Sequence, residues 1–122
     1  MKIKTSELQG SALDWAVAKC ENLEHYFDGG LVCLKGQPFD TYWLYWIPTT
    51  DWAQSGPIIE RERISTQTTE DYWDADLTTE SGAFIQSVGD TPLVAAMRAY
   101  VASQLGGEVE LPEELIEVKT CS

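Results

Sequence analysis

The stretch from Asp90-Thr91-Pro92 to Gly106-Gly107 constrains this chain more than any other. A capping residue followed by proline at the first helical position opens a helix, and a glycine pair closes one. Between these signals Leu93, Met97, Tyr100, Val101 and Leu105 recur at helical spacing. That stripe has to be buried against a second layer.

The remaining segments supply candidates for that layer. Residues 1–5 read as a short strand, and Ser6 with Gln9 matches a capping box. Leu13, Ala16, Val17 and Cys20, widened by Leu8, Ala12 and Trp15, place a helix over 6–22, with Gly10 leaving room for two short turns near its start. Turn glycines and a proline punctuate 23–40 around a strand at 31–35. Residues 41–47 are dense in aromatics and read as a strand halted by Pro48. Strands are also predicted at 64–68, 72–77 and 83–88, with Trp73, Ala75 and Leu77 on one face of the second. Residues 108–112 allow a brief pairing, and 113–122 read as an acidic tail. The predicted fold class is α+β: a single domain over 1–112, with two helices on a mainly antiparallel sheet of four to six strands.

Charge narrows the function classes. Twenty acids against eight bases give a net charge of −12, which opposes a phosphate backbone or an anionic lipid surface. Direct nucleic-acid or membrane binding is therefore not expected. Cys20, Cys33 and Cys121 form no CxxC, and the N-terminal Met-Lys-Ile-Lys has no apolar signal region. A reduced cytoplasmic protein is the consistent reading. No Cys/His spacing fits zinc and no phosphate-binding glycine loop is present, so neither metal nor cofactor is expected.

Three ordered motifs carry a family resemblance. They are Lys4-Thr-Ser-Glu-Leu-x-Gly-x-Ala-Leu-Asp-Trp-Ala-Val-Ala, Thr50-Asp-Trp-Ala-Gln-x-Gly-Pro-Ile-Ile-Glu-Arg, and Thr91-Pro-Leu-Val-Ala-Ala-Met-Arg-Ala-Tyr-Val-Ala-Ser. Together they resemble the NinX family of small proteins from lambdoid-type phages and prophages. The resemblance spans most of the chain except about 23–45 and the tail. Ser55 departs from it, because the family pattern has glycine there, and this puts close approach of the loop to a ligand in question. The resemblance implies phage origin, an infected bacterial host and an accessory role. It carries over no activity and no site residue.

Residues 48–62 concentrate the chemistry: a polar loop, an indole, a Gly-Pro pair and adjacent charges. Ser55-Gly56 before Pro57 predicts a helical turn over 57–62, with a strand as the alternative because Ile59, Arg61 and Arg63 alternate with Glu60 and Glu62. Trp52, among Thr49, Thr50, Asp51 and Gln54, is either a core lid or a stacking platform for a planar ring. Trp15, Trp43, Trp46 and Trp73 read as core. Arg98 is the sole basic residue between Arg63 and Lys119, a window with eleven acids. It is either half of a surface ion pair or, with Arg61 or Lys19, a holder of an anionic group. His25 reads as an exposed loop residue, and Glu60 and Glu62 as solvated charge.

The candidate ligand-binding set is Thr50, Asp51, Trp52, Gln54, Gly56, Glu60, Arg61 and Arg98. The leading functional reading is a non-enzymatic binder of a small planar or nucleotide-like host molecule. One alternative is an acidic inhibitor that occupies the basic groove of a host nucleic-acid enzyme. Another is a small enzyme with an acidic catalytic pair.

Overall fold

The computed structural model describes residues 1–35, 45–113 and 115. Its central helix, which becomes α3 in chain order, runs Pro92–Leu105. The Thr91 hydroxyl accepts from the Val94 N–H, Pro92 occupies the first turn, and Gly106 ends the helix at φ 88°. Burial exceeds the predicted stripe: Ala95, Ala96 and Ala99 are covered along with Leu93, Met97, Tyr100 and Val101. Such a helix has to be enclosed from several sides.

In chain order β1 is Lys2–Lys4, α1 is Gly10–Cys20, β2 is His25–Asp28, β3 is Leu31–Leu34 and α2 is Trp52–Glu62. Then come β4 (Ser65–Thr68), β5 (Trp73–Thr78), β6 (Phe84–Gly89), α3 and β7 (Glu108–Glu110). The architecture is α+β, as expected, but the described residues form three α-helices rather than two. The strands divide into three small antiparallel sheets, β1-β7, β2-β3 and β4-β5-β6, instead of one larger sheet.

The three-stranded sheet covers one side of α3, while α1 and α2 pack elsewhere around it. Ala75 and Leu77 of β5 are buried in the core they share with α3. Asp74, on the other face, is nonetheless nearly covered, because the amides of Gln67 and Gln86 close over its carboxylate at 2.8–3.3 Å. In the β1-β7 pair, Lys2 faces Glu110 and Lys4 faces Glu108, while Ile3 and Val109 lie buried between them.

Several boundaries moved for identifiable reasons. The capping box at Ser6 and Gln9 does not form. Thr5–Glu7 make a separate 3-10 turn, and α1 begins only at Gly10, whose φ of 55° breaks continuity. Thr5 is held to the end of α3, its hydroxyl donating to the Gly106 carbonyl (2.6 Å) and its N–H to that of Gly107 (2.8 Å). His25 is not an exposed loop residue. It starts β2, half-buried, edge-on to both Trp15 and Phe27.

The predicted strand at 41–47 falls largely outside the described residues, as does Trp43. Its end is visible: Tyr45 bridges Cys33, and the Trp46 N–H donates to the Val32 carbonyl at 2.8 Å. Trp15 and Trp46 are buried and Trp73 is partly so. Leu115, 1% exposed, belongs to the same buried core as Leu111.

The helix predicted over 57–62 starts five residues earlier, at Trp52. Asp51 is its cap, accepting from the Ala53 N–H at 2.8 Å, so Pro57 lies in the second turn. A proline there removes one backbone bond, to the Ala53 carbonyl, and Ala53 is exposed to solvent. The cost is small enough for the earlier cap to prevail.

Gly89 sets the closest approach in this frame. A Cβ there would lie 2.8 Å from the Ala95 backbone nitrogen and 2.8 Å from a Val94 methyl. Gly89→Ala should therefore cost about 1–3 kcal/mol of stability in urea unfolding, because the start of α3 has to shift away from β6.

Candidate functional site

Helix α2 sorts the candidate residues onto two sides. At about 3.6 residues per turn, Gln54, Pro57, Ile58 and Arg61 share one side, whereas Trp52, Gly56 and Glu60 fall toward the other. Trp52 is 57% exposed, so it is not a core lid. Thr50 and Glu60 are also exposed, and Asp51 is occupied as the cap.

Gln54 is the opposite case. Its Oε1 accepts from the Ile47 N–H at 2.7 Å, and its Nε2 donates to the Tyr45 carbonyl at 2.8 Å. The buried amide thus clamps the 45–47 segment to α2. Arg98 is likewise engaged by backbone, with Nε donating to the Leu8 carbonyl (2.8 Å) and Nη1 to that of Val88 (2.9 Å). Burial lowers its pKa, and Asp90 only partly offsets this. These bonds tie α3 to the turn after Thr5–Glu7 and to β6. They do not bring Arg98 beside Trp52.

Arg61 has the richest surroundings. Its Nη1 and Nη2 reach the two oxygens of Glu21 at 3.1 and 2.6 Å, a bidentate pair between α2 and the end of α1. Nε donates to Glu62 at 2.7 Å, and Nη2 lies 3.2 Å from the Tyr100 hydroxyl. Tyr100 in turn donates to Glu21, and its ring lies under the guanidinium at 5.7 Å. Burial opposes ionisation of Glu21, yet the hydrogen bonds from Arg61 and Tyr100 outweigh it and hold this carboxyl below its usual range. The Tyr100 hydroxyl is pushed up, first by burial and then by its bond to Glu21. The cluster is a fixed ion pair, closed on itself, rather than a poised acid–base couple.

Behind this cluster lies a cavity of about 300 Å³. Leu23, Leu34, Pro57 and Ile58 give it apolar walls, Trp46 and Gln54 line it, and Glu21 and Arg61 form its charged border. Trp46 is 4% exposed, and its indole N–H has no hydrogen-bond partner among the described residues. An unpaired buried donor costs about 1–3 kcal/mol. A second, more polar cavity of about 770 Å³ is also bordered by Arg61. No group of three or more His, Cys, Asp or Glu side chains is placed to hold a metal among the described residues.

Of the residues around the apolar cavity and its charged border, the sequence singled out Gln54 and Arg61, gave no sign of Glu21, and assigned Trp46 and Tyr100 to the core. No local pattern links Glu21 to Arg61, forty residues apart. Nothing local sets Trp46 apart, since Trp43 in the same aromatic run carries the same polar N–H.

The sequence model of the family described as Bacteriophage P22, NinX matches residues 4–104. The chain belongs to the NinX family. As a NinX protein it is a phage accessory protein, and the matched span includes Glu21, Trp46, Gln54, Arg61 and Tyr100. No curated protein matches the chain. No helix among its described residues is long and apolar enough to cross a membrane.

One further titratable group supports the site from behind. Asp14, buried in α1, accepts from the Thr49 N–H at 2.9 Å and so holds the turn that leads into α2. Burial pushes its carboxyl up to about 7, although the Thr49 backbone and hydroxyl bonds pull the other way. A carboxyl raised in the folded state contributes stability that is complete below its unfolded value near 3.8 and is lost as pH rises through about 7. A tenfold change in proton affinity between the two states corresponds to about 1.4 kcal/mol. Asp14→Asn keeps an acceptor for Thr49, so the thermal unfolding midpoint should fall less between pH 4 and 7 in this variant than in wild type.

Proposed function

We propose that this NinX protein is a non-enzymatic binder of a small planar host molecule, held in the cavity lined by Trp46. The observation that carries this reading is the indole N–H of a buried residue that borders an apolar cavity and has no partner among the described residues. A flat ring seated against Trp46 would cover Leu23, Leu34, Pro57 and Ile58, and an acceptor atom at its edge would pair with that covered donor once the indole turns toward the cavity. The volume of about 300 Å³ suits a single heterocycle rather than a peptide or a nucleic-acid strand. Non-enzymatic binding is favoured because Gln54, Arg61 and Glu21 already satisfy one another or the backbone. A phage product of this kind would act by mass action, removing a host molecule from the free pool in proportion to its own abundance.

Trp52 supports a second surface. Its exposure of 57%, in the first turn of α2, leaves an indole face open for stacking, as the loop sequence suggests. The two readings separate by mutation.

The experiment is a thermal-shift screen of free heterocycles, nucleosides, nucleotides and cyclic nucleotides, followed by calorimetry on variants. Trp46→Phe keeps an aromatic ring but deletes the donor. It should weaken the best ligand by about tenfold or more, equivalent to about 1.4 kcal/mol, while the protein stays folded, because the space left by the smaller ring in the core is offset in part by removal of an unpaired buried donor. Trp52→Ala should leave that affinity unchanged. The opposite result, loss with Trp52→Ala and none with Trp46→Phe, would move the site to the outer side of α2.

A further inference from the structure

Arg61 borders both cavities, the apolar one lined by Trp46 and the polar one of about 770 Å³. Resting on the planar-ligand reading, we infer that the two form one bipartite site whose ligand is a nucleoside: an uncharged heterocycle joined to a polyhydroxylated group. The ring occupies the apolar half. The hydroxylated part passes Arg61 and lies along Thr78, Thr79, Ser81, Ser103 and Gln104.

The lining chemistry favours hydroxyl groups. Ser103 donates to the Tyr100 carbonyl at 2.6 Å, which spends its proton and leaves its oxygen able to accept from a ligand hydroxyl. Thr79 and Ser81 are paired with each other at 2.9 Å, and Thr79 Oγ1 also accepts from the Ala83 N–H at 3.0 Å, so the Ser81 oxygen is the freer of the two toward a ligand hydroxyl. The Gln104 side chain, on the exposed side of α3, offers both a donor and an acceptor. Adjacent sugar hydroxyls, each both donor and acceptor, match such a surface.

The charges argue against phosphate. Arg61 is engaged by two carboxylates, Glu21 and Glu62. Across the two cavities, Glu21, Glu62 and Glu80 stand against Arg61 and Arg63, three negative charges to two positive. The whole chain adds a field of −12. A phosphate would therefore meet net repulsion, whereas an uncharged sugar would not. Arg61 holds the border between the halves in one geometry through its bidentate pair with Glu21, rather than acting as a free anion clamp.

The test is calorimetry with purine and pyrimidine free bases, their nucleosides and their 5′-monophosphates, using wild type, Trp46→Phe and the double variant Ser103→Ala/Gln104→Ala. In the best base series, the nucleoside should bind about tenfold or more tighter than its free base, and the monophosphate should bind more weakly than the nucleoside. The double variant should remove most of the nucleoside's advantage without changing free-base affinity. Free-base binding that depends on Trp46, with no gain for the nucleoside or with tightest binding of the monophosphate, would overturn this inference and leave the planar-ligand reading standing. Absence of binding by every probe, or binding unaffected by Trp46→Phe, would overturn both.

Discussion

The structure depends on the enclosure of α3. Fourteen residues carry a single charged side chain, Arg98, and three of the four alanines are buried along with Leu93, Met97, Tyr100 and Val101. A helix with so little polar surface is unstable in water unless neighbours cover it. The three-stranded sheet, α1 and α2 provide that cover, and the tie from Thr5 to Gly106 and Gly107 secures its C-terminal end. Its one charge follows the same constraint, because the guanidinium donates to the carbonyls of Leu8 and Val88. Two backbone groups that would otherwise need solvent are satisfied, and the arginine serves the frame.

The candidate site is a consequence of how α2 is fastened to this frame. Gln54 clamps the helix to residues 45–47, Arg61 pins it to Glu21 and Tyr100, and Asp14 holds the turn before it through Thr49. With these polar contacts distributed around its edge, the space between α2, β3 and Trp46 is left as an apolar cavity. The Glu21–Arg61 pair is about half open to solvent on the arginine side and much less on the glutamate side. Its value lies more in geometry than in stability, since exposed pairs contribute little energy but a bidentate fork fixes orientation.

The locations of the helices were partly legible. Pro92 and Gly106 marked the ends of α3 because both act through their own backbone torsions, which tertiary contacts seldom override. The start of α2 was not legible, because two starts competed. Ser55-Gly56-Pro57 is a valid local signal, but the Asp51 cap together with packing of Gln54 and Ile58 extends the helix through the proline. The break before α1 is similar: the Ser6–Gln9 pattern was present, yet Thr5 gains its partners at the far end of the chain, and Gly10 turns away from the helical path.

By itself the sequence determined the α+β class, the family, the acidic charge and the stopping points of the clearest helix. These follow from residue chemistry that acts on the nearest few neighbours or on the sum of the chain. Only the tertiary structure decided that Glu21 meets Arg61 and Tyr100, and that Gln54 is spent on the backbone while Trp52 stays exposed. It also decided that the Trp46 indole N–H finds no partner among the described residues, while its backbone N–H pairs with Val32. Each of those depends on a pair or a gap formed between segments far apart in sequence. A carboxylate, an amide or an indole carries no mark of which distant partner packing will bring to it.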